Sequence, residues 1–94
     1  MKRYEAMVII KPDMNKEELD RTVSSMQDAI TKNGGKVESC QKWARRQLAY
    51  SIKKHREGDY YLLDFEAEPK SITAVENVYK LNESILRAMI TVKE

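Results

Sequence analysis

Ninety-four residues, 34% of them charged and 41% hydrophobic, suit one thin two-layer domain over residues 1–94, since a chain this short buries roughly 60–70% of its unfolded surface. Seventeen Lys and Arg against fifteen Asp and Glu leave a net charge of +2, which excludes a protein that is basic all over and coats nucleic acid indiscriminately. One cysteine, one histidine and three glycines exclude an internal disulfide, a closed zinc site and a Gly-rich phosphate loop.

Residues 2–11 alternate and then become apolar on both sides, with Tyr4, Ala6, Val8 and Ile10 on one face and Arg3, Glu5, Met7 and Ile9 on the other. That pattern predicts a central strand ended by Lys11-Pro12-Asp13. Asn15 with Glu18 three residues later has the spacing of a capping box, and Leu19, Val23, Met26 and Ile30 then make one helical stripe. Asn33-Gly34-Gly35 stops that helix, because glycine accepts the left-handed conformation past a helix end.

From Lys36 to about Lys53 the pattern predicts one long strand, or two joined by a bulge near Ala44 to Arg46. A hairpin turn is expected around His55 to Asp59, with Gly58 as its positive-φ residue. Tyr60 to Ala67 reads as another strand, with Tyr61, Leu63, Phe65 and Ala67 on one face. Pro69 suits the first turn of a second helix, whose apolar side is Ile72, Val75, Tyr79 and either Val78 or Leu81. Residues 84–93 close as a strand, with Leu86, Ala88, Ile90 and Val92 on one face and Ile85, Arg87, Met89 and Thr91 on the other. Strand, helix, strand, strand, helix, strand predicts an α+β ferredoxin-like βαββαβ two-layer sandwich: a four-stranded antiparallel sheet with both helices on one face.

The small net charge hides an uneven distribution. Residues 1–35 are neutral, residues 36–56 carry +6 and residues 57–94 carry −4. A basic strand and hairpin of this kind is the footprint of a nucleic-acid contact, with a solvated Lys-rich hairpin as the bland alternative. The sheet face away from the helices would hold Met7, Ile9, Tyr60, Leu62 and Met89 among its residues, more apolar surface than a solvated face carries. These five are the candidate partner interface. A slip of one residue in register would swap the faces.

Chemistry is hard to assemble. The position after the first strand reads Lys11-Pro12-Asp13-Met14-Asn15, without the glycines and arginine that a small acylphosphatase of this fold requires. His55 lies among Lys53, Lys54, Arg56 and Glu57, where a histidine is ordinarily a surface residue. Cys40 reads as a small half-buried filler. No nucleophile, base and orienting group come together, so no catalytic residue, metal or cofactor is expected. The longest apolar run, Ala6 to Ile10, is far shorter than the roughly 20 residues of a membrane span, and no signal segment precedes it, so no membrane partner is expected and the chain is expected to stay in the cytosol; without a catalytic constellation, no small-molecule substrate is expected either. RNA-recognition-motif domains of this fold stack bases on aromatics of their central strands, but Gly58-Asp59-Tyr60-Tyr61-Leu62 does not match their signature. Trp43 beside Arg45 and Arg46 is either a base-stacking group or, with slightly more weight, an anchor into the core.

The stretch Trp43-Ala44-Arg45-Arg46-Gln47-Leu48-Ala49-Tyr50-Ser51-Ile52-Lys53 resembles the signature of the bacterial small-subunit ribosomal protein S-six family: Trp-Gly, a basic pair, Leu-Ala-Tyr, any residue, Ile and a polar or basic residue. Arg3-Tyr4-Glu5, Pro12 and Ile85-Leu86-Arg87-Ala88-Met89 extend the resemblance over essentially the whole chain. Ala44 stands in place of the usual glycine, and Ser51 where proline is common. The resemblance implies a non-enzymatic, cytoplasmic constituent of the small ribosomal subunit. Such a protein binds the central domain of 16S ribosomal RNA together with the small basic ribosomal protein S-eighteen. It also implies that Lys2, Arg3, Arg45, Arg46 and Arg87 contact RNA or partner. The basic hairpin adds Lys42, Lys53, Lys54 and Arg56 as phosphate contacts. The competing expectation is an interaction or ligand-sensing domain of the same fold that self-associates through its open face.

Overall fold

In the computed structural model, which describes residues 1–93, the chain runs β1 (Lys2–Ile10), α1 (Lys16–Lys32), β2 (Lys36–Ile52), β3 (His55–Ala67), a 3-10 turn (Pro69–Ser71), α2 (Ile72–Leu81) and β4 (Ile85–Val92). The strands make one antiparallel sheet in the order β2-β3-β1-β4. Tyr4, Ala6, Val8 and Ile10 of β1 and Tyr61, Leu63, Phe65 and Ala67 of β3 form the buried face, packed against Met26, Ala29 and Ile30 of α1 and Val75 and Tyr79 of α2. Both helices therefore cover one face, as the ferredoxin-like arrangement requires. Each of the larger aliphatic side chains and Phe65, once fully buried, contributes on the order of 1.5–3 kcal/mol.

The helix ends follow their sequence signals. Asn15 accepts a hydrogen bond from the Glu18 backbone N–H at 2.8 Å, which satisfies one of the four unpaired donors of the first turn. At the other end Gly34 adopts φ +83°, its N–H donating to Thr31 O at 3.1 Å while that of Gly35 donates to Ile30 O at 2.9 Å. That pair of bonds is a Schellman cap. The buried stripe of α1 is Thr22, Met26, Ala29 and Ile30, whereas Leu19 and Val23 are only partly covered. The buried stripe is thus turned toward Thr22 and Ala29 from the one predicted on large apolar residues, keeping Met26 and Ile30.

Three other expectations are corrected. The hairpin turn is Lys53-Lys54, both at positive φ (49° and 71°), between paired Ile52 and His55. His55 to Asp59 is therefore strand, and Gly58 is not a turn residue. Gly58 is needed for a different reason: a Cβ there would collide with the side chain of Ile9. On α2, Val78 and Leu81 both face solvent, Leu81 at 82% exposure, so Val75 and Tyr79 with partly buried Ile72 carry the contact. Along β4 the strict alternation breaks, because the pairing to β1 shifts between Ile9 and Ile10. Ile85 and Leu86 are consequently both buried, while Val92 at the other end is exposed.

Substitution of the two glycines separates conformational strain from close packing. Gly34→Ala meets open space and is expected to cost about 1 kcal/mol through its positive φ alone. Gly58→Ala must displace Ile9 and is expected to cost about 1–3 kcal/mol, as overpacked cores do. Urea unfolding midpoints should rank wild type, Gly34→Ala, Gly58→Ala in falling order; a Gly58→Ala variant as stable as wild type would mean that Ile9 moves aside freely.

Candidate functional site

Alternation along β1 and β3 that buries one set of side chains against the helices places the other set on the open face. Read across the sheet from β2, the register gives Ala44–Tyr60–Ile9–Arg87, then Gln41–Leu62–Met7–Met89, then Ser39–Asp64–Glu5–Thr91. The five candidate interface residues therefore fall in two adjacent rows. They are not equally available. Ile9 is buried, with the Gly58 backbone close against it, whereas Met7, Tyr60 and Leu62 are half-buried and Met89 is exposed.

Trp43 enlarges this band, against the expectation that it anchors the core. A shift in the β2–β3 pairing between Lys42 and Ala44 frees it to lie edge-on to Tyr60 at 6.1 Å between ring centroids. It stays half exposed, and the Arg46 guanidinium caps its ring at 4.8 Å. The sequence signal was present in the departure from alternation around Ala44, but a bulge does not announce which way its residue points.

The next row turns acidic. Asp64 accepts hydrogen bonds from Lys93 Nζ at 3.1 Å and Ser39 Oγ at 3.2 Å, and these hold its carboxyl below the ordinary 3.8, the Lys93 bond most. Arg3 Nη2 sits 3.3 Å from Glu38 at the same end. Beyond the apolar band, at the other end, β3 overhangs β1, whose pairing stops at Ile10–Asp59. The overhanging hairpin bends over to β4: Lys53 Nζ donates to Ile85 O at 3.2 Å, and Arg87 Nη1 to the Tyr50 hydroxyl at 3.4 Å.

The nine candidate RNA-binding cations thus divide into groups. Lys53, Lys54, Arg56 and Arg87 gather at the hairpin and the start of β4, with Arg46 between them and the apolar band. Lys2 and Arg3 lie at the opposite end of β1, roughly 25 Å away at about 3.3 Å per residue. Adjacent Arg45 and Arg46 emerge on opposite faces. Arg45 reaches the helix side, donating from Nε to Asp59 Oδ1 at 2.8 Å, from Nη2 to Oδ2 at 3.2 Å and from Nη1 to Asp13 Oδ1 at 3.1 Å. The Asp59 bonds, then the Asp13 bond, raise its guanidinium pKa still further. Lys42 Nζ is 3.9 Å from the same Asp59 carboxylate. Lys42 and Arg45 are therefore engaged by the fold and do not join the hairpin group.

Nothing in this arrangement supports chemistry. Among the described residues no three His, Cys, Asp or Glu side chains converge as metal ligands. His55 follows the turn directly, and burial pushes the Cys40 thiol up, although Gln27 offsets part of that. A low-pKa thiolate, which reactive cysteines need, is thereby disfavoured.

Two consequences can be measured. Removing Arg45 strips a buried carboxylate of its bidentate partner, so Arg45→Ala should lower the thermal midpoint, while Arg46→Ala, losing an exposed contact, leaves it nearly unchanged; equal midpoints would make the Asp59 pairing irrelevant to folding. Asp64 has a lowered folded pKa, so its contribution to stability is complete above its ordinary 3.8 and disappears as pH falls through the lowered value. In an acid titration followed by circular dichroism, Asp64→Asn should therefore be less stable than wild type at neutral pH, with the gap closing below pH 3.8.

A family model described as ribosomal protein S6 matches residues 3–92. A protein of Desulfitobacterium hafniense named small ribosomal subunit protein bS6 is 36% identical over 94 residues, covering 100% of this chain and 99% of its own. One of the same name from Helicobacter acinonychis is 40% identical over 90 residues, covering 96% of this chain and 63% of its own. The crystal structure of 30S ribosomal protein S6 from Thermotoga maritima superposes with a TM-score of 0.88 at 30% identity, over 98% of this chain and 87% of that one.

Proposed function

The chain belongs to the ribosomal protein S6 family and is a structural, non-enzymatic component of the small ribosomal subunit; within that assembly we propose that it binds the central domain of 16S ribosomal RNA jointly with the small basic ribosomal protein S-eighteen. Its place of work is the bacterial cytoplasm. The mechanism is positioning. The apolar band of Met7, Tyr60, Leu62, Met89 and Trp43 takes up apolar side chains of the partner, and the neighbouring Glu5, which no cation of the fold pairs among the described residues, attracts its cations. The hairpin group of Lys53, Lys54, Arg56 and Arg87, with Arg46, then continues the partner's cationic surface and meets phosphates of folded RNA.

The observation that carries this reading is the order of surfaces along the open face: acidic row, apolar band, cationic hairpin. A charge-poor apolar centre between polar margins is the composition of an interface, and a solvated sheet face has no use for it. Arg45 and Lys42 contribute by holding β2 in place; Lys2 and Arg3, at the far end, would meet a separate stretch of RNA or the partner. With so few free cations the isolated chain should bind RNA weakly.

Filter binding of central-domain RNA across a salt series, with and without the basic partner, tests the proposal. The partner should raise apparent affinity by tenfold or more, roughly 1.4 kcal/mol, and Met89→Glu should abolish that gain without unfolding the chain. Tight binding by the isolated chain, with no gain from the partner, would sink the cooperative mechanism. A concentration-dependent homodimer that Met89→Glu dissolves would instead favour self-association.

A further inference from the structure

A second concave surface lies outside the open face. Between the C-terminal half of α2 and the first half of β4 is a cleft of about 360 Å³, within the range of sites that hold small organic groups. Ile85, Leu86 and Tyr79, all buried, close its bottom. Its rim is exposed and mostly cationic, with Lys53, Lys80 and Arg87 against the single acid Glu76. Lys80 stands one turn beyond Glu76 on α2 yet makes no ion pair with it among the described residues. Its ammonium is available to an incoming anion. Lys53 is directed here by its bond to Ile85 O, and Arg87 is steadied by Tyr50, so two of the three cations are held where the hairpin meets β4.

The geometry points to this cleft as a binding site for a backbone phosphate of the RNA, held across Lys80 and Arg87. The inference rests on the RNA-binding reading and extends the footprint onto the helix layer. Charge selects a polyanion. RNA is favoured over an acidic peptide because Lys53 and Arg87 also belong to the hairpin group, so a strand crossing the hairpin runs directly into the cleft. Lys80 is the residue this adds; its helical context gave it no distinction in the sequence.

The test uses the chain with its basic partner on central-domain RNA, comparing Lys80→Gln with Lys70→Gln, which removes the same charge from the 3-10 turn outside the cleft. Lys80→Gln should weaken binding and lower the log–log salt slope by about one, the signature of one lost phosphate contact, while Lys70→Gln changes neither. Ultraviolet cross-links from the wild-type complex should map to residues 76–80 and 85–88 as well as to the hairpin. Absence of RNA binding by the wild-type pair would sink the functional reading itself. Normal wild-type binding with Lys80→Gln and Lys70→Gln indistinguishable, or with cross-links confined to the hairpin, would overturn the cleft alone. So would a Lys80→Gln variant that keeps RNA but loses its protein partner, which would reassign the cleft to an acidic peptide.

Discussion

β1 lies between β3 and β4 and must satisfy both faces of the sheet at once. Its even-numbered residues from Tyr4 to Ile10 close the core under the helices. Its odd-numbered Met7 and Ile9 have no helix to cover them, so they make the other face apolar too. A strand with period-two side chains cannot move one set without moving the other. The core and the proposed partner surface are therefore two readings of one nine-residue segment, and every cross-strand neighbour inherits its side from the pairing with β1.

Departures from regular pairing decide what is offered at each place. The shift between Lys42 and Ala44 brings Trp43 out beside Tyr60 and sets Arg45, not Arg46, on the helix side. The shift between Ile9 and Ile10 lets β4 bury both Ile85 and Leu86. Together with the overhang of β3 beyond β1, this brings the hairpin down onto β4, so that cations far apart in sequence, Lys53 and Arg87, share one end of the molecule. An S6-family protein assembled this way has three contiguous surfaces without needing a large net charge.

Much of this was legible in the chain. The faces of β1 and β3 followed from alternation, and the Asn15 and Gly34 caps followed from side-chain chemistry. The band of Met7, Tyr60, Leu62 and Met89 emerged once the faces were assigned, because burial of one set implies exposure of the other. The misplaced turn had a specific cause: Gly58 is the residue a turn usually wants, but two consecutive lysines accepted positive φ instead. Glycine was required there by Ile9, forty-nine positions earlier in the chain. Arg45 was likewise indistinguishable from Arg46 until Asp59, fourteen residues on, claimed it.

The sequence by itself determined the order and type of the elements, the core faces of β1 and β3, the segregation of charge and the family to which the chain belongs. These rest on periodicities and local backbone chemistry that each segment carries alone. Only the tertiary structure decided which cations are free and which are tied, which side Trp43 takes, and that a cleft exists between α2 and β4. Those depend on bulges and on the pairing of strands distant in sequence. One added residue in a ladder reverses the facing of everything after it, and no local pattern records where that residue falls.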